Sequence, residues 1–256
     1  GHLFLDAYHA TGDEAYYAAA TQAAECLMAG QLPTGGWNYL IDFGGDAAKA
    51  KWYATIGANA WRMEEFQHNW GNATFDDAGS SEAMQFLLRI YLEKRDPRFK
   101  AALDRALDFV LNSQYPNGGW PQRWPAGRPF TKHGADYTGH ITFNDDVAGE
   151  NIKFLVMAAQ TLGDPRVAPA IRRAMDVFLI TQQPAPQAGW GLQHRVDDLK
   201  PAAARSYEPL ALTTHTTAVN TAQLMTFYEL TGDPKYLARV PEALNWLAKV
   251  ALPRPR

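Results

Sequence analysis

A repeated turn constrains this chain more than any other feature. An apolar stretch of helical periodicity reaches a tight turn and a second such stretch follows, at Ala10-Thr11-Gly12-Asp13, Lys94-Arg95-Asp96-Pro97, Leu162-Gly163-Asp164-Pro165 and Thr231-Gly232-Asp233-Pro234. Gly accepts the left-handed conformation that ends one helix. Asp caps the next, and Pro at its first position gives up an amide that has no partner there anyway. The Asp residues lie 83, 68 and 69 positions apart. Three of the second stretches lead to a Gly-Trp pair, at Trp37, Trp120 and Trp190, which lie 24, 24 and 26 residues beyond their Asp. A fourth unit opens at Asp233 and is expected to stop before its Trp.

Between the turns, Phe99, Ala102, Leu103, Ala106, Phe109 and Val110 recur at helical spacing, as do Ala83, Phe86, Leu87, Ile90 and Tyr91. The third unit pairs Ile152, Leu155, Val156 and Ala159 with Val167, Ile171, Ala174, Phe178 and Leu179. No alternating β-branched run argues for a sheet, so the fold is expected to be all-α. Helical hairpins stack into open solenoids or close into an α/α toroid. Solenoid repeats are typically about 33–47 residues with short loops. The later units here repeat every 68 or 69 residues, and long polar connections follow each Gly-Trp. We expect residues 1–256 to form one α/α-toroid domain, an incomplete barrel lacking a C-terminal segment, with its functional loops gathered at one end.

Composition narrows the partners. Apolar residues make up 46% of the chain and charged residues 20%, which is ordinary globular usage and not that of a disordered chain. No apolar run approaches the roughly 18 residues needed to cross a membrane. A formal charge of −3 leaves no basic footprint for nucleic acid or anionic lipid. The single cysteine, Cys26, excludes an internal disulfide framework and is expected to be a buried thiol. Aromatic residues reach 12%, a wealth common where sugars are bound. The chain opens at Gly1 without an initiator Met and is expected to be a mature or excised piece of a monomeric protein.

The polar connections carry the candidate chemistry. The first two end in matched devices immediately before a helix, Thr74-Phe75-Asp76-Asp77 and Thr142-Phe143-Asn144-Asp145-Asp146. One Asp or Asn there is accounted for as an N-cap. A second carboxylate exceeds what a cap needs, and can bind a hard cation through oxygen or serve as an acid or base. Arg205 has a ready salt-bridge partner in Glu208, three residues on. His68, His133, His140 and His194 lack the tight spacing of a transition-metal site.

Several of these pieces occur together, and in this order, in a known family. Gly118-Gly119-Trp120-Pro121-Gln122, Ile141-Thr142-Phe143-Asn144-Asp145, Leu199-Lys200-Pro201 and Ala204-Arg205-Ser206-Tyr207-Glu208-Pro209 resemble segments of the family 10 polysaccharide lyases, the pectate lyases built on an α/α toroid. The resemblance runs from about Gly35 to Glu229. It implies cleavage of polygalacturonate by β-elimination with Ca²⁺, with Asp145 as the calcium-binding aspartate, Asp76 as a second active-site acid and Arg205 as the base that removes the C5 proton. Lys200, Trp124, Asn144 and Tyr207 are then expected to contact substrate. Arginine is normally a permanent cation, so a guanidine base requires burial and neighbouring cations, for which Lys200 and the metal are candidates. The segment after Asp76 departs from the family pattern, as does Leu210-Ala211-Leu212-Thr213-Thr214-His215.

Three other readings fit parts of the sequence. A toroid glycoside hydrolase would use Asp76 and Asp145 as an acid and base pair acting through water. A uronate-binding module would stack sugars on Trp61 and Trp124, and a helical scaffold would need only the repeat. A polymeric uronate substrate implies a secreted or periplasmic protein.

Overall fold

The computed structural model of the chain describes residues 1–57, 59, 71–126, 130–131 and 134–252. Among them, helices α1 (His2–Thr11) and α2 (Glu14–Gly30) form a first hairpin, followed by the short α3 (Asp46–Trp52). Further hairpins are α4 (Gly79–Lys94) with α5 (Pro97–Ser113), α6 (Val147–Thr161) with α7 (Val167–Thr181), and α8 (Thr214–Thr231) with α9 (Val240–Val250). Neighbouring hairpins pack in chain order, α2 on α4, α4 on α6 and α7 on α8, in an α/α-toroid arrangement.

The turns behave as their chemistry requires. Asp13, Asp96, Asp164 and Asp233 each accept a hydrogen bond from the amide two residues on, at 2.9, 2.9, 2.9 and 3.0 Å. Gly12, Gly163 and Gly232 are left-handed at φ 69–70°, and Arg95 takes the same conformation without the freedom of a glycine. The face expected on α5 is buried throughout. On α6 and α7 the phase differs by one residue in places, Ala158 being buried instead of Ala159 and Ala170 instead of Ile171. Cys26 is exposed, contrary to expectation. It lies two residues past Ala24, so that α2 turns Ala20 and Ala24 inward and Cys26 outward.

Each Gly-Trp pair joins one unit to the next. The indole N–H groups of Trp37, Trp120 and Trp190 donate to Leu27, Val110 and Phe178 carbonyls at 2.8, 2.9 and 3.0 Å. Trp120 and Trp190 are wholly buried, and truncating either to Ala would cost about 3–5 kcal/mol. A glutamine at each preceding helix end clamps two units together. Gln31 Nε2 donates to Gly35 O and Ala102 O, Gln114 Nε2 to Gly118 O and Ala170 O, and Gln182 Nε2 to Ala188 O and Arg239 O.

Short strands gather at the end where the second helix of each hairpin finishes and the next hairpin begins. β1 (Ala73–Thr74) pairs antiparallel with β2 (Arg123–Trp124), and β3 (Phe130–Thr131) with β4 (Gly134–Ala135). β5 (Ile141–Thr142), β6 (Gln193–His194) and β7 (Pro201–Ala202) form a three-stranded ladder. Two-residue strands carry no alternating pattern, which is why the sequence does not announce them. No helix among the described residues is long and apolar enough to cross a membrane.

Candidate active site

The two acidic devices occupy equivalent places. Thr74 N donates to Trp37 O and Thr142 N to Trp120 O, at 2.8 and 2.9 Å, so each segment hangs from its own Gly-Trp. Phe75 and Phe143 then anchor in the core, the first stacked on Phe109 at 4.7 Å and the second edge-on to Phe178 at 5.1 Å. Two left-handed residues follow in each case before the helix starts, Asp77 and Ala78 at φ 51° and 56°, and Asp145 and Asp146 at φ 52° and 51°. Neither Asp76 nor Asn144 caps a helix. Asp146 occupies the N-cap position of α6, but its side chain makes no capping hydrogen bond; burial pushes its carboxyl up to about 6.

The kinks bring the two devices into contact, and Asp76 meets Asp145 there. Asp76 is 1% exposed and accepts a hydrogen bond from the Tyr39 hydroxyl on Oδ2, while its Oδ1 is buried with no hydrogen-bond partner among the described residues. Burial pushes its carboxyl up to about 6; the Tyr39 hydrogen bond opposes the rise and the Asp145 carboxylate adds to it. Asp145 is exposed at the mouth and held from behind: Asn144 Nδ2 donates to its Oδ2 at 2.7 Å, and Gln193 Nε2 donates to Asn144 Oδ1 at 2.5 Å. Asn144, expected to contact substrate, therefore braces Asp145.

Arg205 closes the site from the connection after Trp190. Its Nη1 lies 4.0 Å from Asp76 Oδ2, and its Nε and Nη2 donate to Glu208 Oε2 and Oε1 at 2.7 and 2.6 Å. Burial works to lower its pKa, but the hydrogen bonds and charge of Glu208, helped by Asp76, leave it above the ordinary arginine value. Its neighbours here are two carboxylates, where a lowered pKa would require cations. Its guanidinium also sits 5.3 Å from the centre of the Tyr207 ring, which is 54% exposed and open to a ligand.

The other expected substrate contacts divide. Trp124, on β2, is half-buried against the core. Lys200 is exposed and lines a cavity of about 470 Å³ with Gln183, Arg195, Pro201 and Leu210, which neither Asp76 nor Arg205 borders. Trp61, His68 and His133 lie outside the described residues. His194 is structural: its Nε2 accepts from Gly191 N at 3.0 Å, Nδ1 donates to Leu199 O at 2.8 Å, and burial lowers its pKa to about 4, so it stays neutral. His140 is also lowered by burial.

Tyr39 and Arg123 did not stand out in the sequence. Arg123 is wholly buried, donates to Asn72 Oδ1 at 3.2 Å and places its guanidinium 5.3 Å from the centre of the Tyr39 ring. Tyr53 supports the same wall, donating to Asn38 Oδ1 at 2.5 Å. The hint available in the sequence was the tyrosine two residues past the first Gly-Trp, but nothing local ties it to Asp76.

A metal can be tested against these donors. Among the described residues no three carboxylate, histidine or cysteine side chains gather as a ready-made cage. Asp76 and Asp145 carry two negative charges side by side, Arg205 offsets them from one side only, and one buried Asp76 oxygen has no hydrogen-bond partner among the described residues. They supply oxygen donors of the kind Ca²⁺ takes, leaving the remaining positions to substrate and water.

Comparison with known proteins agrees with this architecture. A mutant of the family 10 polysaccharide lyase from Cellvibrio cellulosa, solved in complex with trigalacturonic acid, is 23% identical over 89% of this chain and 66% of its own, with a TM-score of 0.66. Another structure of the Cellvibrio cellulosa family 10 lyase gives 23% identity over 89% of this chain and 64% of its own, with a TM-score of 0.61. The chain thus spans just under two thirds of their length, and at this identity the likeness is one of fold. No curated protein matches significantly. The family model described as pectic acid lyase matches residues 42–254, most of the length and all of the site from Asp76 to Glu208, so the chain belongs to the pectic acid lyase family.

Proposed function

We propose that this chain is a pectate lyase, cleaving α-1,4-linked polygalacturonate by calcium-assisted β-elimination to leave a C4–C5 double bond. The observation that carries the reading is the meeting of buried Asp76 with Asp145, with the Arg205 guanidinium 4.0 Å from Asp76. β-Elimination removes the C5 proton, which is α to the uronate carboxylate, and the carboxylate's own charge opposes that loss. Ca²⁺ held by Asp145 would neutralise this charge as it builds up in the transition state. Asn144 and Gln193 fix the Asp145 carboxylate. Tyr39 holds one oxygen of Asp76, and the other is buried with no hydrogen-bond partner among the described residues. Arg205 presents Nη1 on the Asp76 side and serves as the base once its guanidinium has given up a proton, and the exposed Tyr207 ring is placed to carry a sugar face.

The hydrolase alternative fits less well. Glycosidase carboxyl pairs stand about 5–9.5 Å apart to admit a sugar and, in inverting enzymes, a water. The segments that carry Asp76 and Asp145 touch, and the Asp145 charge bears directly on the Asp76 carboxyl, which is closer company than such a pair keeps. A polymer of this kind is met outside the cytoplasm, so we place the protein's work in the periplasm or beyond the cell. The test is the ultraviolet absorbance of unsaturated ends released from polygalacturonate. A rise that chelator abolishes and Ca²⁺ restores, absent from Arg205→Ala, is expected. Reducing ends without absorbance, or activity indifferent to chelator, would refute the reading.

A further inference from the structure

The Leu199-Lys200-Pro201 segment lies apart from Asp76, Asp145 and Arg205, yet its backbone is tightly held. Leu199 stands at φ 61°, a left-handed conformation that a branched residue keeps only where its surroundings enforce it. Its carbonyl accepts from His194 Nδ1 at 2.8 Å and from Gln183 Nε2 at 3.3 Å. Arg195 N donates to Lys200 O at 2.9 Å and Leu199 N to Arg195 O at 3.1 Å, which closes the hairpin between β6 and β7. Asp198 pairs with Arg195 through its Nε and Nη2 and also accepts from Lys200 N at 3.1 Å.

This hairpin forms one side of the cavity of about 470 Å³, a size usual for small-molecule sites. The rest of the wall is largely apolar, with Pro184, Pro186, Pro201 and Leu212 among its residues. The charged residues that line it, Arg195 and Lys200, are both cations. Asp198 offsets the first of them. The second is free: Lys200 Nζ has no ion pair or hydrogen bond among the described residues. An apolar wall with one unmatched cation suits an anion that also has an apolar face. A hexuronate is such a molecule, with ring C–H groups on its faces and a carboxylate at its edge. The cavity also shares its connection with Arg205 and Tyr207. Pro201 precedes Arg205 by four residues, at most about 14 Å of extended chain.

We propose that this cavity is a second, non-catalytic uronate site. Lys200 pairs there with a sugar carboxylate, the proline and leucine wall covers the ring, and Arg195, already paired, keeps the hairpin in shape. A polymer engaged at Asp145 and Arg205 is held again at this point, which raises its effective concentration at the first without any contact with the reacting bond. The identity of the sugar rests on the lyase reading above.

The test is titration calorimetry of the full chain with di-galacturonate in excess chelator, which removes any cation from Asp145 and stops turnover. Saturable binding is expected, weakened about fivefold in Lys200→Gln, between the worth of an exposed ion pair and that of a charged hydrogen bond. The dimethyl ester of the same sugar, which presents no carboxylate, should lose a similar factor. Lys200→Arg keeps the charge, and Arg205→Ala alters a residue that does not border the cavity, so both should stay within about twofold of the parent. Ala211→Phe fills the cavity without changing its charge and should weaken binding at least as much as Lys200→Gln. With Ca²⁺ restored, Lys200→Gln should raise KM for polygalacturonate about fivefold. No saturable binding in chelator, indifference to Lys200→Gln or Ala211→Phe, or loss of binding in Arg205→Ala overturns the second site. An unchanged KM overturns its role in holding the polymer. A parent that releases no unsaturated ends with Ca²⁺ refutes the lyase reading, while the dimer titration still decides the cavity.

Discussion

Replacing Asp76 with Asn should stabilise the calcium-free protein at neutral pH while abolishing its activity. Burial, reinforced by the Asp145 carboxylate, moves the Asp76 carboxyl from 3.8 to about 6. A shift of that size is on the order of 3 kcal/mol of strain in the ionised form. Because the folded state holds the proton more tightly than the unfolded chain, the native protein loses stability as pH rises through the window from 3.8 to about 6. Below that window both states are protonated and the cost is absent. Asn carries no charge, can still accept the Tyr39 hydroxyl on its amide oxygen, and has no such dependence. Thermal melts of the parent and Asp76→Asn in chelator should therefore nearly coincide near pH 4 and separate above about pH 6. For a chain of this size the full difference corresponds to roughly 5–10 °C in Tm, the variant melting higher. Ca²⁺ should then close the gap, since a ligand at about 100 times its Kd adds about 2.7 kcal/mol to the parent and little to a variant lacking one acid. A difference that is flat with pH, or a variant that melts lower at neutral pH than at pH 4 relative to the parent, would refute the argument that Asp76 is a strained carboxylate awaiting a cation.

Other consequences can be checked alongside. Gly118 has φ 101°, and a Cβ there would lie 1.9 Å from the Arg173 carbonyl oxygen; Gly118→Ala should lose about 3 kcal/mol or more in urea unfolding by combining backbone strain with a clash against the next unit. Gln114→Ala strips the Gly118 and Ala170 carbonyls of their shared donor and should cost about 2 kcal/mol, whereas a loss under about 0.5 kcal/mol would show that water replaces the clamp. Asn144→Ala frees Asp145 from its brace, and direct Ca²⁺ titration in the presence of a uronate oligomer should weaken about tenfold, as for loss of an outer-shell partner.

The helical frame was legible because its signals are local. Gly, Asp and Pro, at least two of them in each turn, mark a helix end and the next start; Asp13 and Asp96 cap α2 and α5 directly, whereas Asp164 and Asp233 each head a short turn that precedes α7 and α9. The acidic devices were legible as an excess of carboxylate over capping need. Contacts between units were not. The glutamine clamps join positions 71, 56 and 57 residues apart, and the Tyr39 bond to Asp76 spans 37, distances at which composition and periodicity are silent. Lys200 shows a different limit. Its place in a family-like segment suggested a cation beside Arg205, but β7 begins immediately after it and its side chain lines a different cavity.

The third unit indicates what the left-handed kinks are for. Thr213 N donates to Trp190 O at 2.9 Å, the same anchor that Thr74 and Thr142 make to Trp37 and Trp120. The tryptophan amide is also capped in the same way, Trp190 N donating to Thr217 Oγ1 at 3.1 Å as Trp37 N does to Ser80 Oγ at 3.0 Å. Yet α8 starts directly after Thr213, four residues separating anchor from cap where the first device takes six, and no left-handed pair intervenes. A helix of this toroid therefore begins perfectly well without the kink. Where the kink is present it places non-glycine residues at positive φ, at about 1–3 kcal/mol each when strained, though Asp tolerates that region better than Ala. It also buries one carboxylate against another. The fold gains nothing from either feature. Among the described residues both occur only where two units bring Asp76 and Asp145 together, which is what a site requiring converging carboxylates, and not a helix start, would demand.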